Sequence, residues 1–167
     1  MAPPAAAVPV DRRTRPGDSM RRAYSGAPLA ADVYHVALAV TPDDEHLGAK
    51  VDAVGGLPEA ADSVRVTVVH VHDGEAAVES VPAVADARER LEDAGVRTAV
   101  RGEVDEDPTR GLLDAAVDLG VDAICVGGRR RSPAGKLQLK PGAEEVLLGA
   151  EVPVVIAGDP ESREPRV

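Results

Sequence analysis

The chain has 167 residues, a formal net charge of −10, 44% hydrophobic residues and only 1% aromatic ones. That length and apolar content suit one domain with its own core. The acidic balance excludes a duplex-binding surface, the absence of Phe and Trp excludes a base-stacking platform, and no apolar run approaches the ~18 residues of a membrane span.

Residues 1–30 differ from the rest. Pro, Ala and Arg dominate, and Arg12, Arg13, Arg15, Arg21 and Arg22 outnumber Asp11 and Asp18. Such a segment buries too little apolar surface to order itself, so it reads as a disordered basic extension. A partner-recruiting arm is its sharper reading. A structured domain is expected over 31–158, with a tail at 159–167.

Tyr34–Thr41 (YHVALAVT) is a strand candidate, and His46–Gly55 carries Leu47, Val51 and Val54 at helical spacing. Val64–His72 is Val-rich and reads as a strand. Pro82 opens a helix whose inner face is Val84, Ala87, Leu91 and Ala94, stopped by Gly95. Arg97–Arg101 is a short strand. Asp107-Pro108 reads as an N-cap followed by a first-turn proline. Leu112, Leu113, Ala116 and Val117 then mark a helix that ends at Gly120. Val121–Gly127 is the next strand, Pro141–Leu148 the next helix, and Val152–Ala157 the last strand.

Alternation of this kind implies parallel strands joined by right-handed crossovers. The strands are near-continuous apolar runs, as expected where both faces are covered. The fold class is therefore α/β, a doubly wound five-stranded parallel sheet with helices on both faces. In such sheets ligands sit beyond the carboxyl ends of the strands. The loop after Ala123–Val126, which begins Gly127-Gly128 and carries Arg129, Arg130, Arg131, Lys136 and Lys140, is where a function is expected.

VVHVHD (Val68–Asp73), DLGVDAICVGGRRRSPAGK (Asp118–Lys136) and AEEVLLGAEVPVVI (Ala143–Ile156) give the core from Val33 to Gly158 its identity. It resembles the universal stress protein family, in an acidic, haloarchaeal-like form with a degenerate ATP motif. The resemblance implies an adenine nucleotide alpha hydrolase-like fold and a stress-associated role without turnover. ATP-binding members of that family carry Gly-x-x-Gly, a nine-residue spacer, then Gly-Ser or Gly-Thr, whose backbone N–H groups cradle a triphosphate. Aligned without gaps, Gly127 keeps the first glycine, Arg130 replaces the second, and Lys140-Pro141 replaces the Gly-Ser. Pro141 removes a donor, and Gly142 restores one only through a local shift. The aspartate that the family often places after the first strand falls here on Thr41 or Pro42, with Asp43 and Asp44 beyond. The resemblance thus maps a nucleotide- or anion-binding site onto Thr41, Pro42, Asp43, Val69, Gly127, Gly128, Arg130, Gly135, Lys140, Pro141 and Gly142. ATP is the cofactor it allows, and basic side chains rather than main chain are expected to grip the occupant.

Other constellations are weaker. Asp43-Asp44 suits a receiver-like acidic pocket, but Arg101 stands where a phosphorylatable aspartate would end the third strand. His70 and His72 share a strand face, yet a metal needs further ligands, so no metal is expected. Ser80 and Ser132 have no base beside them in sequence, and Gly135-Lys136 lacks the Ser or Thr of a phosphate-binding P-loop. Cys125 sits in an apolar run and reads as a buried hydrophobe. The chain is therefore expected to be a non-enzymatic, cytoplasmic module with a small anionic ligand; an ATP-dependent switch is the alternative. The final strand carries an apolar edge, Val152, Pro153, Val154, Val155 and Ile156, that calls for cover. In the family it pairs across a two-fold axis, so a homodimer is expected.

Overall fold

The computed structural model describes residues 33–158 apart from 76, 132 and 133, and the side chains of Arg129, Arg130, Arg131 and Leu137 fall outside that description. The extension expected at 1–30 and the tail expected at 159–167 also lie outside the described residues.

The elements in chain order are β1 (Tyr34–Ala39), α1 (Leu47–Gly55), the single turn α2 (Ala60–Ser63), β2 (Val64–His72), a 3-10 turn (Val78–Ser80), α3 (Pro82–Asp93), β3 (Arg97–Val104), α4 (Pro108–Leu119), β4 (Ala123–Arg131), β5 (Leu137–Leu139), α5 (Pro141–Gly149) and β6 (Val154–Gly158). Five strands pair in parallel in the order β3-β2-β1-β4-β6. The doubly wound α/β sheet is as the sequence implies.

A sixth strand was not expected. β4 runs on past Gly127, and Arg129, Arg130 and Arg131 pair antiparallel with Leu139, Gln138 and Leu137. Arg129 has Leu139 along one edge and Gly158 along the other, so β5 extends the sheet beyond the end of β1. Charge made this stretch read as loop. The local hairpin, a pairing that apolar periodicity does not report, makes it strand. β3 likewise continues to Val104, past the expected stop at Arg101, because its ladder with β2 runs on to His72↔Val104.

Side chains alternate across the sheet with the period of a strand. Val36, Leu38, Val66, Val68, Ala123 and Cys125 join Leu47, Val51 and Val54 of α1 and Val84, Ala87 and Leu91 of α3 in one core. Ala37, Val69, Ile124 and Val126 join Leu112, Ala115 and Ala116 of α4 and Ala143 and Val146 of α5 in the other. Leu38, Leu91 and Ile124 are sealed from solvent. Neither core contains an aromatic residue, so many branched aliphatic contacts replace a few large ones.

α4 starts where the sequence placed it. Asp107 accepts hydrogen bonds from Thr109 N at 3.0 Å and Arg110 N at 3.2 Å, and Pro108 fills the first position. This helix forms one wall of the crevice described below, so its start fixes that wall. Asp107→Ala is expected to lower stability by about 1 kcal/mol, read as a shift in the urea midpoint at unchanged slope, whereas Asp107→Ser retains most of it.

Candidate functional site

The sheet order changes direction between β1 and β4, which is where an open α/β sheet opens a crevice beyond its strand ends. A cavity of ≈ 330 Å³ lies there, within the range of small-molecule sites. Its base is formed by Ala39, Val40 and Thr41 after β1, Val69 and Val71 of β2, and Val126 and Gly127 of β4. α4 contributes Pro108, Thr109 and Leu112, α5 contributes Lys140, Gly142, Ala143 and Val146, and the β1–α1 segment contributes Asp43, Asp44, Glu45, His46 and Lys50.

Lys50 lies on the apolar face of α1 and is only 3% exposed. A buried ammonium must be paired. Its Nζ donates to the Ala39 carbonyl at the end of β1 and to Asp44 Oδ2. The Asp44 side chain is 4% exposed. Its Oδ2 also accepts from Thr41 N at 3.1 Å, and its Oδ1 from His46 N at 3.2 Å. One buried ion pair thus joins the end of β1, the loop after it and α1.

That loop delivers His46 onto Gly127. A Cβ at Gly127 would lie 2.5 Å from His46 Cβ and 2.9 Å from its Cγ. Gly128 has a φ of +125° and packs against α5, where a Cβ would meet Ala143 Cβ at 3.1 Å and Lys140 Cβ at 3.2 Å. A glycine pair at a strand end can open the backbone to a phosphate. In the structure the histidine fills the space over the first glycine, and the start of α5 crowds the second.

At α5 the N-cap, Lys140, makes no side-chain capping bond, and Pro141 has no N–H. Glu144 N bonds back to the Lys140 carbonyl at 3.1 Å. The first turn therefore keeps the N–H groups of Gly142 and Ala143 without a capping side chain, at the positive end of a helix. The Lys140 ammonium is engaged by Glu45 Oε1, which also lies 3.5 Å from His46 Nε2. Both ring nitrogens of His46 are buried and lack a hydrogen bond.

Of the residues that the sequence singled out, Thr41, Asp43, Val69, Gly127, Lys140 and Gly142 line the crevice, whereas Pro42, Gly128, Gly135 and Pro141 do not. Gly135 is an exposed turn residue with nothing near its Cβ direction. Arg130 pairs through its backbone with Gln138, and its side chain lies outside the description. The arginine side chains of the expected basic rim lie outside the description; among the described residues of the crevice, Lys140 is held by Glu45 and Lys50 by Asp44, and Asp43 adds a further carboxylate. Val154 and Ile156 of the expected dimer edge pack on one core and Val155 on the other, all half-buried.

Lys50, His46 and Glu45 escaped the sequence reading. Lys50 had a legible signal, since it lies on the same helical stripe as Leu47, Val51 and Val54. His46 had none, because its contact with Gly127 spans most of the domain. Cys125 is buried, and burial pushes its thiol up to about 12, so it is not a nucleophile at neutral pH. His70 and His72 stack with centroids 6.0 Å apart, and the described residues contain no group of three or more acidic, His or Cys side chains placed to hold a metal.

Comparison with known proteins decides the family. The universal stress protein family profile matches residues 23–158. The chain belongs to the universal stress protein family. A curated universal stress protein of Mycolicibacterium smegmatis is 36% identical over 72 residues, covering 43% of this chain and 55% of that protein, so the match spans about half of the relative's length. The solved universal stress protein of Archaeoglobus fulgidus is 25% identical with a TM-score of 0.60, covering 74% of this chain and 98% of that one. A universal stress protein solved in complex with cAMP shares the fold at 21% identity and a TM-score of 0.60, over 77% of this chain and 99% of that one. Among the described residues, no helix is long and apolar enough to cross a membrane.

Two substitutions probe the arrangement. Gly127→Ala is expected to destabilise this universal stress protein by about 1–3 kcal/mol through overpacking. Adding His46→Gly should recover much of that loss and His46→Ala should not, because the nearest clashing atom is the His46 Cβ; a double-mutant cycle in denaturant reads the coupling. Lys50→Met strands the Asp44 carboxylate and is expected to cost about 3–5 kcal/mol, whereas Lys50→Met with Asp44→Asn should be markedly less harmful in the same measurement.

Proposed function

We propose that this universal stress protein is a non-catalytic module that holds a small anionic ligand, a nucleotide above all, in the crevice at the strand ends. The observation that carries this reading is the pairing of two chemistries in one cavity. Val69, Val71, Leu112, Val126 and Val146 offer apolar walls to a flat ring, and Lys140 with the N–H groups of Gly142 and Ala143 offers donors to an anion. The family relative in complex with cAMP supports the same ligand class. Pro141 withholds one donor of the helix start, so the affinity for ATP is expected to be modest.

The module works as a cytoplasmic homodimer in this reading. β6 is an outer strand among the described ones, pairing with β4 alone, and its apolar residues are half-buried. An edge of that kind favours cover by a second copy, and Pro153 before it is tolerated at an edge.

Thermal unfolding with and without nucleotide tests the proposal. A ligand that prefers the folded state, at a hundred times its Kd, adds about 2.7 kcal/mol and raises Tm accordingly. ATP or cAMP should raise Tm without release of inorganic phosphate over hours. Pro141→Ser should tighten ATP binding by about tenfold through the restored N–H and a hydroxyl. The absence of any shift with millimolar nucleotide, together with a monomer in sedimentation, would remove the reading; rapid ATP hydrolysis would replace it with an enzyme.

A further inference from the structure

One oxygen of Glu45 sits beside two nitrogen groups at the crevice mouth. Its Oε1 engages Lys140 Nζ and lies 3.5 Å from His46 Nε2. His46 is 8% exposed, lines the cavity, and has both ring nitrogens buried without a hydrogen bond. A buried polar group without a partner is unfavourable and calls for a reason. In the same cavity the Gly142 and Ala143 N–H groups lack a capping side chain. An ammonium, an imidazole and a pair of amides thus share a place suited to an oxyanion, and the carboxylate there comes from the chain itself.

The burial of this contact matters. The Glu45 side chain is 67% exposed and that of Lys140 36%, against 3% and 4% for Lys50 and Asp44. Exposed pairs contribute little and exchange readily, whereas buried ones are fixed by the cost of stranding a charge. The Lys50–Asp44 pair is therefore framework, and the Glu45–Lys140 pair is displaceable. Glu45 sits in the β1–α1 loop and Lys140 at the start of α5, so their contact also straps one wall of the mouth to the other.

We propose that the Glu45 carboxylate is an internal competitor of the crevice, engaging Lys140 and lying beside His46 in the free protein until a phosphate-sized anion displaces it. This regulation rests on the reading of the crevice as a ligand site. It gives the site a threshold, since a weak anion must outcompete a tethered carboxylate at high effective concentration. Ligands with a strongly charged phosphate succeed where acetate-like anions fail, because several donors act on one group.

The test uses the full chain, inorganic phosphate as the probe and Glu45→Gln, which keeps size and removes charge. At constant ionic strength, phosphate is titrated while the amide signals of Gly142 and Ala143 and the ring signals of His46 are followed by NMR. Glu45→Gln is expected to bind phosphate about fivefold more tightly than the native chain, equivalent to about 1 kcal/mol, with those signals moving together. Lys140→Gln added to it should abolish the gain. Glu45→Ala, with the same expectation, guards against a folding defect in one variant. Equal or weaker phosphate binding by the neutral variants overturns the proposal, as does a lack of response in every variant. An ATP titration separates this outcome from the parent reading. If the native chain binds ATP and Glu45→Gln binds it less well, Glu45 recognises ligand and the competitor is wrong while the crevice stands. If Glu45→Gln gains phosphate but no form binds a nucleotide, the competitor stands and the nucleotide reading falls.

Discussion

The ammonium of Lys50 is the constraint from which the site follows. It lies on the buried face of α1, where an unpaired charge cannot persist. The carbonyl that ends β1 and the Asp44 carboxylate satisfy it. Asp44 also accepts from Thr41 N and His46 N. The loop between β1 and α1 is thereby fixed at both ends. The position of His46 follows from that loop, and the bare backbone at Gly127 follows from His46. A single buried cation in α1 thus determines which side chain covers Gly127 in the middle of β4, with β2 and β3 intervening in chain order. Replacing only one partner of the pair leaves a charge stranded, which is why the pair is stiff without being a strong net stabiliser.

The fold was legible because its signals are local. Val64–His72 is rich in β-branched residues, Asp107-Pro108 marks a helix start, and Gly120 marks a helix end. In β1, β2 and the first half of β4 both faces are largely apolar, which pointed to a sheet covered on both sides. What the sequence hid depends on pairing across space. Arg129–Arg131 looks like a solvated loop until Leu137–Leu139 folds back on it. Lys50 looked like one of few lysines until its helix face was compared with that of Leu47 and Val54. His46 and Glu45 carried no sequence signal, since their partners Gly127 and Lys140 lie some eighty to a hundred residues on.

The glycine pair shows how one residue type can satisfy different demands. In family members that bind ATP, glycine in this loop lets main chain approach a phosphate. Here Gly127 is required by a histidine that any Cβ would strike, and Gly128 by its left-handed backbone and by α5. Neither requirement needs a ligand. A glycine at a motif position therefore speaks for close approach, while the identity of the approaching group has to come from the neighbours. In this chain the donors that remain for an anion lie at Gly142 and Ala143, in the first turn of α5 just after the position aligned with the family's Gly-Ser.

The overall charge of −10 sets a further condition on any anion that reaches those donors. A negative surface repels an approaching phosphate at distances beyond contact, and salt screens that repulsion over about 10 Å at 0.1 M. The donors at Lys140, His46 and the start of α5 act only at hydrogen-bond range, where screening is much weaker. Long-range and short-range electrostatics thus oppose each other at the mouth of the crevice. Salt relieves the repulsion while leaving most of the contact energy, so the chain separates the two in a way that a basic protein cannot. With Glu45 seated on Lys140, a third term is added: the tethered carboxylate cancels local positive charge that would otherwise draw in anions indiscriminately. The selectivity of such a mouth comes from how many donors an entering group can satisfy at once. Net attraction supplies none of it, and a multiply accepting phosphate is better placed than a simple carboxylate to replace what the chain already supplies.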